Sequence, residues 1–265
     1  MNYPKKKFIL LSILLSSSFL FAKAQEELLL YIGITMVKPV DELAKNFEKK
    51  HNCKIKILQG GSQDLYESIK MSKVGDIYLP GSIVYRKKHL SEGFLLDGAF
   101  VGFNKIALIV PKGNPKNIQP DLNVLTNPNY RVVLGNESSG SVGKATKKVL
   151  QNFGNYKSAM LNTLYLASDS RNMTKAITDG EADVILNWYA TTFWDENKEK
   201  VEALPLSEKY AKKSKLVFNL LKTSKNQTLA KKFMSYATSK DGQQIFQKYG
   251  FLNAEDIKNF NKVTF

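Results

Sequence analysis

The stretch LLLYIGITMVKPVDELAKNFEKKHNCKIKILQGG, residues 28–61, decides the fold class. It opens with the apolar run Leu28–Ile32, which is typical of a buried strand. Pro39 then stands where the first turn of a helix tolerates proline, and apolar residues recur at helical spacing from Val40 to Phe47. Lys54–Leu58 alternates like a second strand. A strand, a helix and a strand in this order predict a βαβ unit with a parallel pair of strands.

The same alternation continues along the chain and restarts after the turn at Pro111–Pro115. We predict further strands at Asp76–Leu79, Lys105–Val110, Arg131–Leu134, Thr163–Ala167, Asp183–Leu186 and Leu216–Leu221. Further helices are predicted at Asp64–Met71, Val142–Asn152 and Asn172–Thr178, with two more near the C terminus. We therefore expect an α/β protein with two lobes, each a mostly parallel sheet flanked by helices. Lobe I is expected at 25–108 and 208–265, lobe II at 109–207, with a hinge between them.

Residues 1–24 have the composition of a secretory signal peptide. The basic residues Lys5–Lys7 precede the apolar run Phe8–Phe21, and Ala22 and Ala24 provide small residues before a cleavage site. An uncleaved anchor is the alternative, but the run is shorter than the ~20 apolar residues of a membrane span. We predict cleavage after Ala24 and a periplasmic protein.

Composition and charge narrow the classes of partner that the protein is expected to bind. The chain has 265 residues and a formal net charge of +15, and its lysines are scattered and not clustered with aromatic residues. Nucleic-acid binding favours a basic patch or stripe, so we expect no nucleic-acid partner. Such a charge does suit steering of small anions towards a cleft. The single cysteine, Cys53, cannot form an internal disulfide.

Catalytic and metal-binding patterns are missing from the sequence. The two histidines, His51 and His89, lie far in sequence from the serine-rich loops, and no catalytic motif or metal-ligand spacing is present. A secreted hydrolase built on Ser139 or Ser141 is a rival hypothesis, but neither serine has a candidate base nearby. We expect a protein that is not an enzyme and needs no cofactor.

Four predicted strand-to-helix loops carry glycine and hydroxyl residues. They are Gly33–Thr35, Gly60–Ser62, Leu79–Ser82 and Ser138–Gly143. In open α/β sheets ligands bind beyond the carboxyl ends of the strands, where helix N-termini leave unpaired N–H groups. Taken singly, each loop could be an ordinary turn with a helix cap. Taken together, they predict a site for a dehydrated oxyanion held by neutral donors.

Three further residues are candidates for this cleft. Ser170 precedes a predicted helix and can cap it or donate to a ligand. Arg171 could bind an oxyanion with its two-pronged guanidinium, or form a surface ion pair with Asp169 or Glu181. Trp188 could form a wall of the cleft or simply pack in the core.

With these loops in place, the chain resembles the periplasmic solute-binding proteins of ABC importers, type II class, and among them the molybdate-binding type. The matching segments are Tyr31–Thr35 before Val40–Ala44, Gln59–Ser62, Gly75–Leu79, Ile109–Pro115, Gly180–Val184, Ser239–Gln243 and Tyr249–Phe251. The resemblance covers nearly the whole chain after residue 24. It implies the type II periplasmic-binding-protein fold, whose two lobes close on the ligand like a hinge.

The resemblance also implies positions for the ligand contacts. They fall on Thr35, Ser62, Gly81 or Ser82, Val142, Ser170 and Trp188, and the Ser139–Ser141 turn is similar to that of phosphate-binding relatives. Thr35 stands where serine is usual, and Trp188 where tyrosine is usual. Molybdate, tungstate, sulfate and phosphate therefore stay open as ligands. No metal site is expected.

The implied role is that of a monomer that captures a small oxyanion and delivers it to a membrane permease driven by a separate ATPase. The alternative is a periplasmic sensing or colonisation protein that uses the same two lobes without import.

Overall fold

A computed structural model describes residues 25–265, so the predicted signal peptide lies outside the described residues. The strands are β1 Glu26–Gly33, β2 Cys53–Gly60, β3 Ile77–Leu79, β4 Leu95–Asn104, β5 Ile106–Pro111, β6 Val132–Gly135, β7 Thr163–Ala167, β8 Val184–Trp188, β9 Val201–Pro205 and β10 Ser214–Leu221. The α-helices are α1 Val37–Lys50, α2 Ser62–Ser72, α3 Ile83–His89, α4 Ser141–Phe153, α5 Tyr156–Asn162, α6 Ser170–Thr178, α7 Gln227–Thr238, α8 Lys240–Lys248 and α9 Ala254–Lys258.

The strands form two sheets of five, in the orders β2-β1-β3-β10-β4 and β7-β6-β8-β5-β9. Helices flank both sheets, which confirms the two-lobed α/β fold. The sheets are mostly parallel, as expected, because four of the five strands in each sheet run in the same direction and one strand is reversed. The reversed strand is β10 in the first sheet, where it pairs with β3 and β4, and β5 in the second sheet, where it pairs with β8 and β9.

The chain crosses between the sheets twice. It leaves the first sheet after Asn104, and β5 belongs wholly to the second sheet. The crossing therefore lies at Lys105, between β4 and β5. The expected boundary at residue 109 falls within β5. The return runs from the end of β9 to Ser214, where β10 begins. Residue 208 lies within this second connection.

Each sheet is covered by its own apolar core. In the first lobe the helix α1 buries Val40, Leu43 and Phe47 against the sheet, because these residues share one helical face. In the second lobe β6 and β8 are buried along their whole length under helices on both faces. Across residues 25–265, no helix combines the length and apolarity that a bilayer span requires.

Candidate functional site

A small cavity lies where the two lobes meet. The residues around it follow the carboxyl ends of five strands, β1 to β3 in the first lobe and β6 and β7 in the second. They are Gly33, Ile34, Thr35, Gly60, Gly61, Ser62, Gly81, Gly140, Ser141, Val142, Asp169 and Ser170. Both lobes therefore contribute to one site, at the sheet edges where α/β proteins bind ligands.

The cavity is small. Its volume is about 10 Å³, roughly the room that one water molecule needs. A peptide, a sugar or a nucleotide does not fit such a space. The site suits a ligand of a few atoms that contacts both lobes.

Three helices begin at the cavity. The first residues of α2, α4 and α6 are Ser62, Ser141 and Ser170, and all three are buried. The N–H groups of a first helical turn have no partner within the helix, and each helix N-terminus carries a partial positive charge of ~0.5. Three such ends at one cavity provide a concentrated set of donors for an anion.

The caps of two of these helices leave the donors free. Gly61 and Gly140 precede α2 and α4, and neither has a side chain that could accept a hydrogen bond from the first turn. By contrast, α3, α7, α8 and α9 are capped by the side chains of Ser82, Asn226, Ser239 and Asn253. The first-turn N–H groups of α2 and α4 are therefore available to a ligand.

The third helix is capped differently. The Asp169 carboxylate accepts hydrogen bonds from the backbone N–H groups of Arg171 and Asn172, at 2.9 and 3.0 Å. These two donors of α6 are thus occupied, while the Ser170 hydroxyl remains at the cavity. Asp169 is also the one carboxylate in the lining.

The hydroxyls of the site are held in place by their neighbours. The Ser62 Oγ accepts a hydrogen bond from the backbone N–H of Gly81 at 3.0 Å, so its own hydrogen is free to point into the cavity. The Thr35 hydroxyl donates to the Ser170 Oγ at 3.4 Å, which joins the two lobes directly. The Ser170 carbonyl is fixed in turn by Asn187 Nδ2 at 2.9 Å. The Ser62 and Ser170 oxygens thus accept hydrogen bonds from their neighbours, and their own hydrogens remain for a ligand.

Within the described residues, the lining contains no lysine or arginine. The donors are neutral hydroxyls and backbone N–H groups. A charged ligand in this site would be stabilised by oriented dipoles and not by a counter-ion.

Glycine allows the lobes to approach this closely. A Cβ atom on Gly61 would overlap the carbonyl oxygen of Ser139, and one on Gly81 would overlap the Ser141 hydroxyl. Each pair joins one lobe to the other. The lobes are therefore in van der Waals contact around the cavity, and any side chain at residue 61 or 81 would hold them apart.

The structure brings six of the ten residues predicted for the site to the cavity lining: Thr35, Ser62, Gly81, Ser141, Val142 and Ser170. The other four lie elsewhere. Ser82 caps α3 and its hydroxyl contacts that of Ser214 at 2.8 Å. The Ser139 hydroxyl is turned away and donates to the Ser168 carbonyl at 2.6 Å.

Arg171 and Trp188 are also absent from the lining. The Arg171 guanidinium is exposed at the rim, where it donates to Gln59 Oε1 at 3.2 Å and lies over the ring of Trp194. Its side chain thus bonds an amide and forms neither the bidentate anion site nor the expected ion pair. Trp188 is buried in the core of the second lobe, so of the two alternatives for this residue the structure shows core packing.

Sequence reasoning missed the roles of three residues at the site. Asp169 was considered only as an ion-pair partner, although the Ser-Asp-Ser order before a helix is a capping signal. The sequence marks Gly61 and Gly140 only as loop residues. Their role as helix caps without a side chain could not be predicted, because it depends on where α2 and α4 begin.

The rest of the described chain offers no catalytic or metal alternative. Among residues 25–265, no group of three histidine, cysteine or acidic side chains is placed to hold a metal ion. His89 is buried and stacks on Tyr66, with its Nδ1 against Glu92. It belongs to a packed cluster beneath α2.

Comparison with known proteins gives the family. Residues 28–252 match the model of the family described as bacterial extracellular solute-binding protein. The molybdate-binding protein ModA of Rhodobacter capsulatus is 22% identical over 229 residues, 86% of this chain and 89% of the relative. Two solved structures share the fold. The periplasmic molybdate-binding protein of Azotobacter vinelandii has a TM-score of 0.69 at 19% identity, covering 85% of this chain and 99% of its own. The sulfate-binding protein SubI of Mycobacterium tuberculosis H37Rv has a TM-score of 0.75 at 15% identity, covering 89% and 91%.

The family and these neighbours are binding proteins, which confirms the expectation that the chain is not an enzyme. The match spans both sheets and all the cavity-lining residues. The chain belongs to the bacterial extracellular solute-binding proteins.

Proposed function

We propose that this solute-binding protein captures one small tetrahedral oxyanion in the cavity between its lobes. The observation that carries the proposal is the meeting of three helix N-termini, two of them capped only by glycine, at a cavity without lysine or arginine in its lining. The direct ligands would be the hydroxyls of Thr35, Ser62, Ser141 and Ser170, with backbone N–H groups near Gly81 and Val142.

The chemistry of these donors favours a fully ionised oxyanion. Each hydrogen bond from a neutral donor to a charged group is worth ~1.5–3 kcal/mol, so several together offset the loss of the anion's hydration shell. A cation would face the positive ends of α2 and α4, which no side chain caps, and is disfavoured. The relatives named for molybdate and sulfate support the same ligand class.

Calorimetry on the chain without residues 1–24 tests the ligand class. Molybdate, tungstate, sulfate and phosphate would be titrated in turn, with Fe³⁺ as the cationic comparison. We expect at least one tetrahedral oxyanion to bind with micromolar or stronger affinity, on the order of 8 kcal/mol. Binding of Fe³⁺ alone, or of none of these ions, would contradict the proposal.

We further propose that the protein works in the periplasm as a monomer and passes its ligand to an ABC permease. The basic, apolar and small-residue segments of residues 1–24 support export. Mass spectrometry of the exported protein should find Gln25 at its N terminus. A product that keeps residues 1–24 in the cytoplasm would contradict this step.

A further inference from the structure

Lys144 reaches from the second lobe into the first at the edge of the cavity. It lies on the first turn of α4, three residues after Ser141, and its Nζ is 3.2 Å from the Gln63 Oε1 on α2. The same Nζ lies 4.6 Å from the centre of the Tyr85 ring. Lys144 therefore touches the first lobe through the residue that follows Ser62 and through the face of a buried tyrosine.

Neither of these partners carries a negative charge. The acidic residue nearest to it on its own lobe, Glu137, pairs instead with Lys147 at 2.8 Å. Burial lowers the pKa of the Lys144 ammonium, and the charge of Lys88 lowers it further. In this arrangement Lys144 is a partly buried cation with no carboxylate among its described direct contacts, and the charge of Glu137 offsets its burial only in part.

We propose that Lys144 senses the charge of the bound anion, and that its attraction to a divalent anion stabilises the closed arrangement of the lobes. This inference rests on the proposed function. Lys144 is not among the residues that line the cavity, so it acts as a positioning residue and does not touch the ligand. At the same distance a doubly charged anion attracts the Lys144 ammonium twice as strongly as a singly charged one.

The test compares tetrahedral anions of matched size and different charge. Sulfate is paired with perchlorate, and molybdate with perrhenate, so that charge varies within each pair. Affinities and dissociation rates would be measured for the wild type and for Lys144→Met, Lys144→Arg and Lys147→Met. Lys147 is the matched control, because it lies on the same helix and contacts a carboxylate and the Tyr156 ring within its own lobe.

We expect Lys144→Met to bind the divalent anion about tenfold more weakly, because the substitution removes the attraction between the ammonium and the anion. The loss should appear mainly as faster dissociation, and for the monovalent anion it should be only about threefold, since half the charge interaction is at stake. Lys144→Arg should retain most of the affinity. Lys147→Met should match the wild type.

Two results would overturn the inference while leaving the proposed function intact. One is wild-type affinity for sulfate and molybdate in Lys144→Met. The other is an equal loss for divalent and monovalent anions, which would make Lys144 a simple contact residue. If the wild type binds none of these four anions, this inference fails, and the proposed function fails with it only if tungstate and phosphate do not bind either.

Discussion

Gly61 and Ser139 meet across the cleft so closely that a Cβ atom at residue 61 would overlap the Ser139 carbonyl oxygen. Gly61 belongs to the first lobe and Ser139 to the second. The backbone of Gly61 is extended, with φ −63° and ψ 142°, so any residue can adopt it. The requirement for glycine here therefore comes from the other lobe and not from the local conformation.

Gly61→Ala should consequently impair closure and leave the fold intact. Overpacking of a tight contact costs ~1–3 kcal/mol, so we expect anion affinity to fall roughly 5- to 150-fold. Small-angle scattering should show less compaction on addition of the anion than in the wild type. Gly60→Ala is the matched control, because its Cβ would meet Leu65 at an ordinary 3.6 Å. Equal affinities for the two variants would contradict the role of this contact.

Ser62→Ala tests the hydroxyl donors. It removes one donor to the anion and also the acceptor for the Gly81 N–H. The loss of a hydrogen bond to a charged group, ~1.5–3 kcal/mol, should weaken binding roughly 10- to 150-fold by calorimetry. Thr35→Val should give a loss of the same size. Ser82→Ala serves as the control, since Ser82 lies outside the lining, and it should bind like the wild type.

Arg171 should matter much less than Ser62. Its guanidinium joins the lobes through one hydrogen bond to Gln59 at the exposed rim. Such a bond is worth ~0.5–1.5 kcal/mol, so Arg171→Ala should weaken anion binding about 2- to 10-fold, mainly through faster dissociation. The anion affinity of Arg171→Lys should lie between those of the wild type and Arg171→Ala. A loss in Arg171→Ala that exceeds that in Ser62→Ala would place the guanidinium against the ligand.

Asp183 should stabilise the second lobe above pH 4. Burial by itself would raise the pKa of its carboxyl, but hydrogen bonds from the Arg131 side chain and backbone and from Lys116 hold that pKa well below its usual range. A carboxyl with a lowered folded-state pKa contributes stability above its unfolded pKa of ~3.9. That stability is lost as the pH falls towards the folded-state value.

Asp183→Asn should therefore lower the free energy of unfolding in urea by about 2 kcal/mol at pH 7, where Asp183 is almost fully buried and its partners are half exposed. The difference from wild type should shrink between pH 5 and pH 3. Asp97→Asn, which removes an exposed pair with Lys231, is the control and should have a smaller effect. A difference that grows as the pH falls would reverse the assigned sign.

Regular segments of the fold could be predicted from the sequence. The strand Thr163–Ala167 was predicted with its observed bounds, and most other apolar runs differ from the structure by one to three residues at an end. β4 was missed because its sequence, LLDGAFVGFN, mixes aspartate and glycine into the strand and shows no clear alternation. Its stability comes from pairing with β10, which lies more than a hundred residues away in the chain.

The site, too, could be predicted only in part from the sequence. Ser62, Ser141 and Ser170 were found because the end of a parallel strand and the start of the next helix fix their place. Ser139 and Arg171 were placed wrongly because their side chains turn towards partners on other segments, the Ser168 carbonyl and Gln59. A sequence pattern locates a backbone position, and it does not specify the direction of an exposed side chain.

The glycine cap of α4 implies a trade-off between stability and function. Gly140 has an extended backbone, and a Cβ atom there would meet its nearest neighbour at a tolerable 3.4 Å. A serine or aspartate at this position could thus cap the helix, a change worth ~1 kcal/mol in other proteins. Its oxygen would, however, occupy the donors that an anion needs. The free protein forgoes that stability, and under the proposed function a bound anion would restore it by acting as the missing cap, so that ligand and fold would stabilise each other.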